Sequence, residues 1–445
     1  MASASNKDIE DFEFVIEEIV RLKKLLAESY DDFSNDFDNP FDRMSAIVGP
    51  PKDLLDKSKF QLFISNKANE KLFDISERVI KSQGLGYYVK SNEFNILLRE
   101  SIYRHVYESK PFDRNGYTKI LNRALKKCRK KGGDVTYIFP IIANNIDRVI
   151  DLGAAKVIPK EELFNIYPGS RQQTDDFIKV SEDSRFLYNA YVSVHIPQTY
   201  NDLIEFKSKN VLNLVVGIIH LHFISMGLYD YKISTEFHGS DLNYKFKGLF
   251  DSDGLKACSE FQFSTSLDGF WDSFEDNLDS PLGDRVKELI MAACMPTIED
   301  RLVDRLIDSI LWFCDASYDT NEHSQLVKLV TSMERLVTMS SEKGSTTLSS
   351  KFSDRVSNLN LVFHPNEHNS KSNASKLYSI RSDLVHGTKS LYKSLDSGLS
   401  FSAITMTTQV IFSAMMTYQF VGLSSTKYED NLIDFLDVQL KLDVT

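Results

Sequence analysis

Arg381 and His386 stand five residues apart in the segment Lys376-Leu377-Tyr378-Ser379-Ile380-Arg381-Ser382-Asp383-Leu384-Val385-His386-Gly387. The pair joins a cation that does not deprotonate to an imidazole that exchanges a proton near neutrality. These are the two groups needed to cut RNA without a metal. A base activates the ribose 2′-hydroxyl, and a cation stabilises the charge that builds on the phosphate. On a regular helix five residues turn through about 140°, so one chain does not place both groups on one face. Arginine's long reach, a local irregularity or a second copy of the motif would have to close the gap. Taken alone, an R-x4-H pattern also fits a purely structural role in a helix.

Competing chemistry has less support. The sequence holds no GxxxxGK[ST], GxGxxG or GxSxG pattern, which removes the sequence basis for P-loop, dinucleotide-binding and α/β-hydrolase readings. His364-Pro365-Asn366-Glu367-His368 matches H-x-x-E-H in letters, but Pro365 and the Asn-Ser-Lys-Ser-Asn run after it indicate a loop, where the two imidazoles share no helix face. His220 and His222 lie two apart and would diverge on a helix, as core histidines do. Cys128, Cys258, Cys294 and Cys314 form no CxxC pair, which fits a reducing cytoplasm and gives no metal or disulfide framework. Neither a metal nor a cofactor is expected.

The balance of 63 acidic and 52 basic residues gives a formal charge of −11, so RNA contact has to come from local basic surface. Residues 114–131 supply eight Lys or Arg and no acid, ending in Lys126, Lys127, Arg129, Lys130 and Lys131. This run reads either as an RNA-binding patch or as a solvated helix C-terminus, stopped by Gly132-Gly133, where cations suit the dipole. Residues 345–395 carry seven basic and three acidic side chains, whereas Glu28–Asp42 holds six acids and no base and reads as a solvated linker. The N-terminus lacks the basic-then-apolar form of a signal peptide. Val211–Tyr229 has no charged residue, but Asn213, His220, His222 and Ser225 favour a buried helix over a membrane span.

The elements that must position the motif follow from hydrophobic periodicity. Residues 1–133 read as a mainly helical N-terminal region. Ile9–Ser29 places Phe12, Val15, Ile16, Ile19, Leu22, Leu25 and Leu26 on one stripe, and helices over 66–83, 92–109 and 116–131 are separated by Gly84, Gly86, Pro111 and Gly116. Residues 134–284 read as an α+β middle domain. Strands are predicted at Val135–Ile142 and Tyr188–Ile196, a hairpin over Tyr231–Phe250 around Gly239, and a helix near Asp202–Met226. Residues 285–445 read as an all-α helix bundle. Leu326, Leu329, Val330, Met333, Leu336 and Val337 form a clean stripe, and Ile404–Phe420 is apolar enough for a central helix. Between them Ser340–Ser375 is predicted to hold a long loop and a short helix around Lys351–Leu361. The fold class is therefore α+β, with the bundle last.

The stretch Tyr378-Ser379-Ile380-Arg381-Ser382-Asp383-Leu384-Val385-His386-Gly387 resembles the "Y-x-x-R-S-x-x-V-H-G" of the Apea-like group in the HEPN superfamily. Upstream, Trp312, Asn321 and the helix ending Val330–Leu336 are similar to the group's "N…E-x-L" helix, and Phe352 and Arg355 fall where it has F-x-x-R. The resemblance spans about residues 285–425, a third of the chain, with no specific motif in the middle domain. It implies a four- or five-helix HEPN bundle that dimerises to bring two R-x4-H motifs into one cleft. It also implies a metal-independent endoribonuclease leaving 2′,3′-cyclic phosphate, commonly a toxin or effector in bacterial defence against phage. By position, Arg381 would stabilise the scissile phosphate and His386 act as acid or base, with Ser382, Asp383 and Tyr378 in support and Glu334 orienting Arg381. The expected partners are RNA (tRNA among the candidates), a second copy of the chain, and a phage-derived or other trigger on the N-terminal region. Some HEPN domains only bind, so a non-catalytic RNA-binding or protein-interaction module remains the alternative.

Overall fold

The computed structural model describes residues 3–28, 47–48, 62–108, 110–131, 133–182, 188–229, 231–235, 244–251, 254–261, 269–297, 299–342, 347–390, 392–396 and 398–440. The chain is α+β, mostly helical with a small antiparallel sheet. Its contacts form two compact units, residues 1–135 with 197–206, and residues 136–196 with 207–445.

In the first unit, α1 (Asn6–Glu28) is followed by the short strands β1 (Ile47–Val48) and β2 (Leu62–Phe63), then α2 (Asn66–Ser82), α3 (Ser91–Tyr107) and α4 (Arg114–Lys131). The expected stripe of α1 is largely the buried face: Phe12, Val15, Ile19 and Leu22 are buried, and Ile16 and Leu25 partly so. The side chain of Leu26 and nearly all of Glu28–Asp42 lie outside the described residues. The stripe meets Leu72 and Ile75 of α2, Phe94 and Leu97 of α3, and Ile120 and Leu121 of α4 in one core. Gly116, expected to separate helices, sits inside α4 instead. Its N–H is taken by Asp113 Oδ1 at 2.7 Å, and a Cβ there would lie 2.4 Å from the Pro111 carbonyl. Close approach of the preceding turn explains the glycine.

The second unit opens on a sheet built from β3 (Gly133–Ile142), β4 (Ile150–Asp151) and β5 (Ala155–Pro159), followed by the helices α5 (Leu163–Ile166) and α6 (Arg171–Glu182), then β6 (Ala190–Thr199). With β7 (Ser234–Thr235) the strand order is β4-β5-β6-β3-β7. Between β6 and β7 runs α7 (Asn201–Ser225). Its uncharged stretch is core: Val211, Leu214, Val215, Ile218 and Ile219 are all buried. Gly217 allows α7 to approach the next layer so closely that a Cβ would lie 2.8 Å from Ile310. His220 accepts the Ile233 N–H at 3.0 Å, and His222 packs against Phe270 and Phe274, so both are core histidines.

The hairpin expected around Gly239 needs correction. Gly239 lies outside the described residues, Tyr231 and Ile233 precede β7 without forming a strand, and the described hairpin pairs β8 (Tyr244–Asp251) with β9 (Gly254–Phe261). An alternation of aromatic residues marks extended chain but does not fix where it turns.

Helices then continue through α8 (Phe270–Leu278), α9 (Pro281–Cys294), α10 (Leu302–Tyr318), α11 (Glu322–Val337), α12 (Leu348–Phe363), α13 (Ser370–Val385), α14 (Leu399–Thr417) and α15 (Glu429–Asp434), which passes into a π turn at Phe435–Gln439. The stripe of α11 is fully buried. The short helix expected around Lys351–Leu361 is present as α12, somewhat longer at each end, while part of the loop expected with it is instead the start of α13 at Ser370. Phe352, Val356 and Leu359 recur at helical spacing and are buried, and that burial outweighs the poor propensity of Ser and Asn. Leu399–Phe420 is, among the described residues, the one helix long and apolar enough to cross a membrane. Its Ala403, Met406, Val410 and Ala414 are buried, and α14 packs on α11 and α12, which accounts for its apolar character.

Arg355 of α12 has no exposed surface. It donates to Glu342 Oε2 at 2.6 Å, to Asp437 Oδ1 at 2.7 Å and to the Val337 carbonyl at 2.8 Å. Although burial opposes it, hydrogen bonding by Arg355 and Lys351 holds the Glu342 carboxyl down at about 2 against 4.5 ordinarily. A depressed folded pKa means that the stabilisation is present above pH about 4.5 and is lost as pH falls toward about 2. Arg355→Ala, which strands two carboxylates, is expected to cost about 3–5 kcal/mol in denaturant unfolding near neutrality. That deficit should shrink in melts at about pH 3, as protonation removes the wild type's advantage. An equal deficit at both pH values would show that packing, not charge, sets the role of Arg355.

Candidate functional site

The sequence motif occupies the last two turns of α13. The helix stops where it does because Gly387 takes the left-handed conformation (φ 72°). The Thr388 N–H then reaches back to the Asp383 carbonyl at 2.9 Å and the Gly387 N–H to the Leu384 carbonyl at 3.3 Å. These two bonds make a Schellman turn, which satisfies carbonyls that a helix end otherwise leaves open. His386 is the capping residue (φ −87°, ψ 1°), donating its N–H to the Ser382 carbonyl at 2.9 Å. Its backbone is fixed while its side chain is exposed, and its imidazole makes no hydrogen bond to another described residue.

Arg381 lies on a different side of the helix. Its Nη2 is 3.0 Å from Glu334 Oε2 of α11, with the two side chains only 24% and 16% exposed. The pairing expected of Glu334 is thus present as an ion pair. Burial pushes the Glu334 carboxyl up, and the Arg381 charge opposes that rise. Arg381 Nε is sealed from solvent with no hydrogen-bond partner among the described residues. Tyr378, one turn earlier, packs against the buried Phe352 ring, with centroids 4.7 Å apart and the planes tilted by 38°. Its phenol is raised first by burial and then by the Glu334 charge, with Arg381 acting against both.

Tyr378, Arg381 and Glu334 therefore form one cluster on the α11–α13 seam. Ser382 is half-buried, and its side chain makes no hydrogen bond to another described residue. Asp383 is exposed and accepts from Thr388 Oγ1 at 3.1 Å, which ties it to the Schellman turn instead of to Arg381. No hydrogen bond or ion pair among the described residues joins Arg381 to His386, and α13 stays regular between them, so within one chain the rotation of about 140° stands. Arg355, named from the sequence only as part of the F-x-x-R resemblance, is a buried structural cation.

The basic run on α4 in the first unit is only partly free. Lys126, Arg129 and Lys130 are exposed, whereas Lys127 pairs with Glu100 at 2.8 Å. The Lys131 side chain lies outside the described residues. Tyr88 Oη donates to the Cys128 and Arg129 carbonyls at 3.1 Å each, closing the end of the helix. His364 to His368 form the turn between α12 and α13, and Glu367 accepts from Asn360 Nδ2 at 3.0 Å. Among the described residues no group of three His, Cys, Asp or Glu side chains is placed to hold a metal ion. Cys128, Cys294 and Cys314 are buried and unbridged. No protein-family model, curated protein or solved structure matches the chain.

A Cβ at Gly387 would meet nothing within 4 Å, so a substitution there probes backbone strain alone. Gly387→Ala is expected to cost about 1–2 kcal/mol in thermal or denaturant unfolding. No measurable loss would mean that the helix end can re-form without the left-handed residue.

Proposed function

We propose that the chain is a metal-independent endoribonuclease of the HEPN type, with Arg381 and His386 as its catalytic residues. The observation that carries this reading is the ion pair of Arg381 with Glu334, together with an exposed His386 five residues on whose imidazole bonds to no other described residue. In this proposal the neutral His386 imidazole removes the proton of a ribose 2′-hydroxyl, and that oxygen attacks the adjacent phosphorus. The bond to the 5′-oxygen breaks, and the leaving oxygen takes a proton from a second acid. Arg381, aimed by Glu334, stabilises charge on the non-bridging oxygens. The products are a 2′,3′-cyclic phosphate and a 5′-hydroxyl.

Because Arg381 and His386 diverge on one helix, the complete site is a homodimer in which two copies of α13 face one cleft. The chain then works in the cytoplasm as a regulated toxin in anti-phage defence. A trigger acts on the N-terminal region, and RNA, including tRNA, is the substrate. The same divergence also favours a second reading, a non-catalytic RNA-binding module in which Arg381 and the α4 lysines contact phosphates.

The test incubates purified protein with total RNA and with tRNA in EDTA, comparing wild type with Arg381→Ala and His386→Ala. Wild type should leave cyclic phosphate ends, and each variant should lose at least about 100-fold in rate. Undiminished cleavage by His386→Ala would remove the assignment. RNA bound in a strongly salt-dependent way but left intact by all three proteins would select the binding module.

A further inference from the structure

The second unit holds a solvent-open cavity of about 570 Å3 among α7, α8, α9, α12 and α14. That volume lies within the range of about 300–1,000 Å3 typical of small-molecule sites. Among the described residues none of the lining side chains is Asp, Glu, Lys or Arg. A charged ligand entering it would give up its hydration with no counter-charge in return. His222 on the inner wall adds none, because burial lowers its pKa to about 4 and keeps the imidazole neutral at physiological pH.

The lining has two further properties. Tyr229, Phe363 and Phe412 contribute aromatic rings to it, the kind of surface on which planar molecules stack. A polar group on the lining also remains unused. The Gln409 amide makes no hydrogen bond to another described residue. Thr408, by contrast, is spent on the Ile404 carbonyl at 2.9 Å. An amide carries both donors and an acceptor, so Gln409 can read a ring edge that offers both. A hydrocarbon ligand would leave Gln409 unsatisfied at the usual cost of a covered polar group.

We infer that this cavity binds an uncharged heteroaromatic molecule of nucleoside size, packed on the rings of Tyr229, Phe363 and Phe412 and hydrogen-bonded through Gln409. The inference is independent of the ribonuclease reading, since no residue of the α13 motif lines the cavity.

Met416 lines the cavity and Met333 is buried in the α11 stripe, so methyl-labelled methionine reports occupancy in the unmodified full chain. Adenosine, uridine and caffeine would be titrated separately, alongside the 5′-monophosphates of the two nucleosides, with Met416→Leu used to assign the resonance. At least one uncharged probe should shift Met416 saturably while Met333 stays in place, and the phosphorylated forms should bind at least about tenfold more weakly. Gln409→Leu, checked for an unchanged melt, should weaken the same probe by about tenfold. The inference is overturned if no probe moves Met416. Equal binding of the nucleotides, or full affinity in folded Gln409→Leu, would overturn it as well.

Discussion

A guanidinium without exposed surface has to find its counter-charges inside the protein, and the second unit is arranged around that requirement. Arg355 meets Glu342 on the turn after α11, Asp437 in the C-terminal segment, and the Val337 carbonyl at the end of α11. One side chain thus fixes where α11 ends, how α12 lies against it, and where the last helix docks. Hydrophobic contacts are non-directional and would tolerate some sliding of these helices. A cation with three assigned partners tolerates much less. The consequence reaches the candidate site, because Glu334 sits one turn before Val337 on the helix that Arg355 pins.

The two buried polar commitments of the bundle differ in kind. Arg355 is fully enclosed and paired on both sides, as a structural cation must be. Arg381 keeps about a quarter of its side-chain surface, has a single carboxylate partner, and leaves Nε both inaccessible and unpaired. Glu334 aims the guanidinium without saturating it, which is the state in which an arginine can still receive an anion.

Much of the fold was legible because burial imposes a period on the sequence. The stripe from Leu326 to Val337 and the uncharged run of α7 became buried faces because their apolar residues recur at helical spacing. The helix expected around Lys351–Leu361 is α12, where Phe352, Val356 and Leu359 recur at helical spacing, whereas the Ser- and Asn-rich start of α13 argued for a loop and is helical. The hairpin position was illegible because alternation has no intrinsic turning point. At the site, Arg381 and His386 stood out by residue type and spacing, whereas Glu334 was reached only through the family resemblance. The cavity could not be read at all. Its walls come from residues as far apart as His222 and Met416, and no local pattern marks Gln409 as lining one space with them.

The end of α13 also bears on how an acid–base group could work there. A histidine in a loose loop would sample many positions, and catalysis would lose the advantage of prepaid orientation. His386 instead caps a helix whose final carbonyls are already bound by Gly387 and Thr388, so its backbone is held although its ring is exposed. Arg381 is held just as firmly, but through Glu334 and toward a different side of the helix. Two groups so rigidly placed cannot converge by bending α13 without breaking the hydrogen bonds that end it. On the nuclease reading proposed above, convergence would have to come from outside the chain, and a second copy related by two-fold symmetry would be the simplest source, because it would return both groups to the same cleft from opposite sides.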